Sequence, residues 1–119
     1  MTEGAYPYAP YQQRCHQGSP RYGPTGGAVG VAGSESAIRS ALGGAPLSIC
    51  VDATPLQYYS GGVISSQCGY RSTNHAVLLV SDNGNAYTCK NSWGGWGEGG
   101  YFRTQMGNNC LGMCDYVTR

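Results

Sequence analysis

The sequence predicts an α+β fold, in which a small, twisted antiparallel β-barrel or sheet is accompanied by one short helix. Three observations lead to this prediction. Five short segments rich in β-branched, aromatic and apolar residues are separated by turn-forming residues. Residues 34–42 alone show a helical spacing of apolar side chains. The 119 residues, which include 20 glycines and 10 tyrosines, suffice for one small, turn-rich domain.

The predicted helix covers residues 34–42 (SESAIRSAL). Ser34 can accept a hydrogen bond from the free N–H groups of the first turn, and the acidic Glu35 suits the positive end of the helix dipole. Ile38 and Leu42 are four residues apart and give the helix one apolar face. Two glycines follow and end it.

The predicted strands are short and apolar, and the strand that begins at His75 is apolar on both faces, which indicates burial. Residues 82–85 (DNGN) have the composition of a hairpin turn and join that strand to the next. Residues 1–33 contain four prolines and are predicted to be irregular. The five predicted strands are residues 47–53, 75–80, 86–90, 101–104 and 115–118.

Composition excludes several classes of function. The formal charge is +1 and only 11% of residues are charged, which argues against a nucleic-acid-binding surface. No run of 18 apolar residues is present, so no membrane span is predicted. Six cysteines in a chain of this length indicate an oxidising compartment, and we expect a secreted or a lysosome-like, vacuolar protein. The first residues lack a signal peptide, so we expect the gene product to begin upstream.

The chain contains two histidines. His16 lies beside Cys15 in a polar, glycine-rich segment, and neighbours in sequence need not form a catalytic pair. His75 begins the most apolar strand, a position that is usually structural. Sixteen residues later, however, Asn91 opens residues 91–101 (NSWGGWGEGGY), and two tryptophans in a glycine-rich loop are not a usual core pattern.

These segments resemble the papain family of cysteine proteases, in its cathepsin L-like branch. Residues 74–80 (NHAVLLV) are similar to the family's histidine strand, and residues 91–101 to its asparagine motif. Other similar segments follow the same order along the chain: residues 6–8, 46–51, 59–63 and 109–111. The resemblance implies that residues 1–119 form the β-rich C-terminal half of such a protease, which acts on peptides and needs no cofactor.

The resemblance also implies roles for three residues. His75 would be the general acid and base that partners a thiolate nucleophile, whose pKa is lowered by the adjacent imidazolium. Asn91 would orient the imidazole of His75 through a hydrogen bond, and Trp93 would cover that bond and exclude water. One departure concerns Trp96, which follows Trp93 by three residues, whereas the family usually spaces these tryptophans by four.

The family's nucleophile has no counterpart in this sequence. It lies roughly 130 to 150 residues upstream of the histidine and asparagine, whereas only 74 residues precede His75. None of the six cysteines has the nucleophile's sequence context. We therefore expect this chain to be inactive alone and to need the helical N-terminal half, on a separate chain or on a missing segment. Cys15 is a candidate for a disulfide with that half.

The remaining cysteines also receive expectations from the resemblance. It pairs Cys68 with Cys110 in a disulfide. Cys50 and Cys89 lie in apolar strands and are expected to be buried thiols. Cys114 is either free or paired with Cys15. The spacing of Cys110 and Cys114 alone does not predict a zinc site, because no second close pair of ligands accompanies it.

Four residues are assigned to substrate binding by the resemblance: Asn74, Cys50, Ala76 and Asp115. Cys50 and Ala76 would form apolar walls of the pocket for the side chain one residue upstream of the cleaved residue. Asp115 would lie at the end of the pocket and would allow it to accept Arg or Lys. A shift of one residue would place Cys114 there instead.

Two functions thus remain open. The first is one part of an active cysteine endopeptidase. The second is a papain-like homologue without catalysis that serves binding or structure. Retention of His75, Asn91 and Trp93 together favours the first, while the missing half and the shortened tryptophan loop favour the second.

Overall fold

The computed structural model describes residues 4, 7–14 and 27–119. Two short α-helices and six strands follow one another between residues 35 and 118, with 3-10 turns at Pro55–Tyr58 and Cys110–Gly112. The helices are α1 (Glu35–Leu42) and α2 (Trp96–Gly99). The strands are β1 (Leu47–Val51), β2 (Val63–Ile64), β3 (His75–Asp82), β4 (Ala86–Lys90), β5 (Tyr101–Gln105) and β6 (Val117–Thr118).

The strands form one six-stranded sheet in the order β2-β5-β4-β3-β1-β6. Four of its pairs are antiparallel, as predicted, whereas β2 and β5 are parallel. The described residues therefore form an open mixed sheet and not a closed barrel. The prediction missed β2 because a strand of two residues shows no alternation that a sequence pattern could reveal.

The predicted helix is confirmed as α1. Ser34 is its N-cap, and the Ser34 hydroxyl accepts a hydrogen bond from the Ala37 N–H at 3.3 Å. Ile38 is fully buried against the sheet, and Gly43 follows the last helical residue. Burial of that apolar stripe stabilises a helix of eight residues, which is too short to persist alone.

Two strands are shorter than predicted because backbone groups at their ends bond elsewhere. β1 ends at Val51, since the Asp52 N–H donates to the Leu111 carbonyl at 2.8 Å. β6 begins at Val117, since the Asp115 N–H donates to the Gly112 carbonyl at 3.0 Å in a turn. At the outer edge of β6, Gly30 forms a single antiparallel bridge with Thr118.

The core lies between α1 and one face of the sheet and includes a disulfide between Cys68 and Cys110. That bond, which the resemblance implied, joins residues 42 positions apart on either side of the segment containing β3 and β4. Restricting a loop of this length in the unfolded chain contributes about 4 kcal/mol. The largest fully buried side chains are Tyr87, Phe102, Ile38, Leu47, Ile49, Leu56, Leu79, Leu111 and Met113.

Among the described residues, no helix has the length and apolar character that crossing a bilayer requires.

Candidate active site

The ends of β3 and β4 bring His75 and Asn91 together. His75 is the first residue of β3, and Asn91 directly follows β4, which runs antiparallel beside it. The His75 Nε2 atom lies 2.8 Å from the Asn91 Oδ1 atom. Asn91 is 8% exposed, so this hydrogen bond is shielded from competing water.

The chemistry of the amide fixes the proton on His75. Asn91 Oδ1 also accepts the N–H of Ser92 at 2.8 Å, which identifies this atom as the oxygen. An amide oxygen only accepts, so Nε2 of His75 carries a hydrogen and donates it. The Nδ1 atom is then the ring nitrogen that gains or loses a proton, as a general acid and base requires.

A glycine-rich loop, residues 91–100, is closed at its base by a hydrogen bond from the Asn91 N–H to the Gly100 carbonyl at 2.9 Å. Gly100 has φ 94° and ψ 2°, in the left-handed region. A Cβ atom at Gly100 would lie 2.8 Å from the Gly94 carbonyl oxygen. Glycine is required at this position because the two loop arms approach each other so closely.

Aromatic rings extend from the core to His75. The Trp93 ring lies over the imidazole of His75, with 5.0 Å between ring centroids and 30° between planes. Trp96 meets Trp93 edge-on at 5.1 Å and also contacts Tyr59 at 5.2 Å and Phe102 at 6.0 Å. The spacing of three residues therefore still lets Trp96 support Trp93, which itself remains 37% exposed.

The far side of the loop is anchored by an ion pair that the sequence analysis missed. The Glu98 carboxylate receives two hydrogen bonds from Arg103 of β5, at 2.7 and 2.8 Å. It also accepts the Gly62 N–H at 2.9 Å. Hydrogen bonds from Arg103 and from Gly62 lower the pKa of Glu98 to about 2. No periodic pattern in the sequence could reveal this pair.

The residues assigned to substrate binding occupy neighbouring positions but do not line one cavity. Cys50 lies opposite Ala76 in the β1–β3 register, and its N–H donates to the Tyr116 carbonyl at 3.1 Å. Ala76 lines an open recess of about 360 Å³ that also includes Asn91. Asp115 lines a second recess, of about 580 Å³.

The Asn74 and Asp115 side chains are engaged within the chain. The Asn74 Oδ1 atom accepts the Ala53 N–H at 3.0 Å. The Asp115 carboxylate accepts a hydrogen bond from Asn109 at 2.8 Å and is exposed. Cys114, the alternative for that pocket position, is buried and lines the same recess as Asp115.

The free thiols differ from the expectation in one respect. Cys89 is fully buried, as predicted, but Cys50 is only partly buried because it lies on the outer face of β1. Burial raises the pKa of the Cys114 thiol to about 11 and that of Cys89 further. Both thiols are therefore protonated at neutral pH. Cys15 and His16 lie outside the described residues.

Within the described part of the chain, no group of three His, Cys, Asp or Glu side chains is arranged to hold a metal ion.

A histidine oriented by a shielded asparagine amide is the arrangement found in the Cys–His–Asn class of proteases. Comparison with known proteins agrees with this class. The sequence model of the papain family cysteine proteases matches residues 1–118. The chain belongs to the papain family.

Two curated relatives illustrate the similarity. Fruit bromelain of Ananas comosus is 37% identical over 123 residues, which cover 95% of this chain and 35% of bromelain. Cysteine proteinase A of Leishmania mexicana is 47% identical over 76 residues, or 60% of this chain and 21% of that protein. The chain thus spans a minor part of these relatives.

Solved structures show the same fold. A cysteine protease of Carica candamarcensis, crystallised with E-64, superposes with a TM-score of 0.81 at 34% identity and covers 98% of this chain. Digestive procathepsin L 3 of Tenebrio molitor gives a TM-score of 0.80 at 38% identity. This chain covers 59% and 42% of those two proteins.

Proposed function

We propose that residues 1–119 form the C-terminal, β-rich half of a cysteine endopeptidase and supply its general acid and base. The observation that carries this proposal is the 2.8 Å hydrogen bond from His75 to the buried amide of Asn91. That bond holds the ring in one orientation, with Nδ1 as the exchanging nitrogen. An isolated structural histidine needs no such arrangement.

In the proposed reaction, a thiolate from the N-terminal half attacks the carbonyl carbon of a peptide bond, and a sulfur–carbon bond forms. The imidazolium of His75 donates its Nδ1 proton to the leaving nitrogen as the carbon–nitrogen bond breaks. Water then attacks the thioester carbonyl carbon, and His75 accepts the proton of that water. The thiolate leaves as the carbon–sulfur bond breaks, which restores the thiolate–imidazolium pair. A neutral amide at Asn91 suffices to orient the ring, because the thiolate already stabilises the imidazolium.

The cysteines that the structure describes do not fit the role of nucleophile. Cys68 and Cys110 are joined to each other, and the buried thiols Cys89 and Cys114 have raised pKa values. The strand register places Cys50 opposite Ala76, on the opposite face of the sheet from His75. These observations support a nucleophile on another polypeptide segment.

The recess beside Asn91, at the strand ends where His75 lies, offers a surface for the proposed N-terminal half. The recess beside Asn91 is lined largely by aliphatic atoms, and Leu78 within it is 38% exposed. Among the described residues, none accepts a hydrogen bond from the buried Asn91 Nδ2 atom. A buried amide donor normally has a partner, and we propose that the N-terminal half supplies it. In this proposal, a disulfide through Cys15 tethers the two halves.

The proposed substrates are peptides in which the residue one position upstream of the cleaved residue has an apolar or a basic side chain. Cys50 and Ala76 supply small, apolar surfaces on adjacent strands. Asp115 supplies an exposed carboxylate in the neighbouring recess, one residue before Tyr116, whose carbonyl accepts the Cys50 N–H. Replacing Asp115→Ala in the assembled enzyme should reduce turnover of Arg-containing peptides several-fold more than that of Phe-containing peptides. Equal losses for both peptides would exclude this role, and Asp82→Ala, in the distant hairpin, is the matched control.

We further propose a lysosome-like, vacuolar or secreted location, supported by the disulfide and by family membership.

The decisive experiment isolates the protein from its source without reduction and labels it with an epoxide that alkylates reactive thiolates. Intact mass is then measured before and after reduction. A heavier labelled species that separates into this chain and a labelled second chain supports the proposal, as does a longer single polypeptide carrying the label upstream. A lone chain of 12.5 kDa without label would refute it and would favour the binding or structural homologue.

A further inference from the structure

A buried carboxylate, Asp52, lies directly after β1 and joins two loops. This residue is 3% exposed. One oxygen, Oδ1, accepts the Thr54 N–H at 3.0 Å, and the other, Oδ2, accepts the Ser72 N–H at 2.9 Å. Each loop thus has its own carboxylate oxygen, and Asp52 fixes the distance between the two backbones.

The second of these loops leads directly into the proposed catalytic histidine. Ser72 precedes His75 by three residues in sequence. Two further hydrogen bonds join the same segments: Asn74 N–H to the Val51 carbonyl, and Ala53 N–H to Asn74 Oδ1, both at 3.0 Å. The segment before His75 is therefore held to the end of β1 at residues 72 and 74.

The hydrogen bonds to Asp52 keep its buried carboxyl group ionised. Burial alone would raise the pKa of its carboxyl, but hydrogen bonds from Thr54 and from the Ser72 N–H lower it by more, so the pKa lies below its ordinary value. The ion pairs formed by described residues do not include Asp52, so the hydrogen bonds from Thr54 and Ser72 stabilise its charge. A serine or an asparagine could not accept both N–H groups through two oxygens.

We propose that Asp52 is a positioning residue for His75, which it places by fixing the backbone of residues 72–74. Asn91 sets the rotation of the imidazole from one side, whereas Asp52 sets where the ring's own backbone enters the site. The inference rests on the proposed cysteine-protease function, because a misplaced imidazole matters only if it must meet a thiolate.

The test replaces Asp52→Asn, which keeps the shape but turns one acceptor into a donor that faces a backbone N–H. The matched control is Asp82→Asn. Asp82 is at the other end of β3, and its carboxylate likewise accepts a backbone N–H, that of Gly84 at 3.1 Å. Two readouts are recorded for each variant. The first is kcat, KM and their pH dependence in the assembled enzyme, and the second is the ¹⁵N spectrum of the histidine rings.

For Asp52→Asn we expect kcat to fall about tenfold to a hundredfold, with KM within about twofold, because small displacements of a reacting group have effects of this size. The pH–rate bell should narrow, since a displaced imidazolium stabilises the thiolate less and is stabilised less in return. The ring signals of His75 should shift. A His75→Gln variant identifies the signals that belong to His75. Asp82→Asn should change none of these quantities.

An Asp52→Asn variant that loses thermal stability but keeps kcat, the pH bell and the His75 signals of the control would overturn the proposal. If wild-type assemblies show no turnover, the proposed function itself has failed, and the ring signals alone decide whether Asp52 places His75. If Asp52→Asn does not fold, the rate of amide hydrogen exchange at Ser72 in the wild-type protein tests whether Asp52 holds this backbone. Slow exchange at Ser72 supports the contact, and exchange as fast as in free peptide overturns it.

Discussion

Replacing Asn91→Ala in the assembled enzyme removes the acceptor that orients His75. The structure shows two hydrogen bonds to the Asn91 oxygen, one from His75 and one from the Ser92 N–H. Ser92 is exposed, so water can replace the amide at its N–H. The bond to His75 is shielded, and its loss therefore accounts for most of the expected effect.

The expected magnitude follows from the charge on the donor. A hydrogen bond to a charged group contributes about 1.5 to 3 kcal/mol, which corresponds to about a 10- to 150-fold change in rate. The loss should appear in kcat, because Asn91 is buried and would act on the reaction through His75. The alkaline limb of kcat/KM, where the imidazolium loses its proton, should move to lower pH, since the protonated ring has lost an acceptor.

The assay measures peptide hydrolysis across the pH range and, separately, the rate at which an epoxide alkylates the nucleophile. Asn83→Ala is the matched control. The Asn83 oxygen also accepts two N–H groups, those of Asn85 and Ala86, but in the hairpin far from His75. An Asn91→Ala enzyme within twofold of wild type, or a control that loses as much, would refute the orienting role.

Two predictions concern stability. Gly100→Ala should destabilise the fold by about 2 kcal/mol, because it places a side chain at positive φ and against a backbone oxygen. Gly95→Ala is the control and should leave stability unchanged, because Gly95 has φ −78° and open space around it. Denaturant unfolding compares the free energies of unfolding of the two variants. The pKa of Glu98 is lowered to about 2 by its bonds to Arg103 and the neighbouring backbone, so its stabilising contribution is present above the ordinary carboxyl pKa and is lost as pH falls towards 2. The difference in melting temperature between wild type and Glu98→Gln should therefore shrink between about pH 5 and pH 2, and a constant difference would contradict the assignment.

The sequence predicted the helix and the hairpin that are specified by neighbouring residues. The Ser34 cap, the apolar spacing of Ile38 and Leu42, and the turn at residues 82–85 identified α1 and the β3–β4 hairpin. β2 was missed because its partner β5 is about 40 residues away and the strand has two residues. Pairing over such a distance depends on the whole sheet and leaves no pattern in the sequence of either strand.

The candidate site likewise contains features that the local sequence predicts and features that depend on distant parts of the chain. The strand that begins with His75 and the tryptophan loop after Asn91 could be recognised as motifs, and the structure brings them within hydrogen-bonding distance. Glu98 and Asp52 could not be recognised, because their partners are backbone N–H groups and one arginine that only the folded chain brings near.

The arrangement of these supports explains how a chain with so few charged residues can hold a histidine in place. His75 is fixed at its ring by Asn91, over its face by Trp93, and through its preceding backbone by Asp52. The first two contacts restrain rotation of the ring, and the third restrains translation of the strand end. All three restraints originate within this chain, so we expect the geometry around His75 to be set before any second half docks. Assembly would then need to supply a thiolate and an acceptor for Asn91 Nδ2, and would not need to position His75.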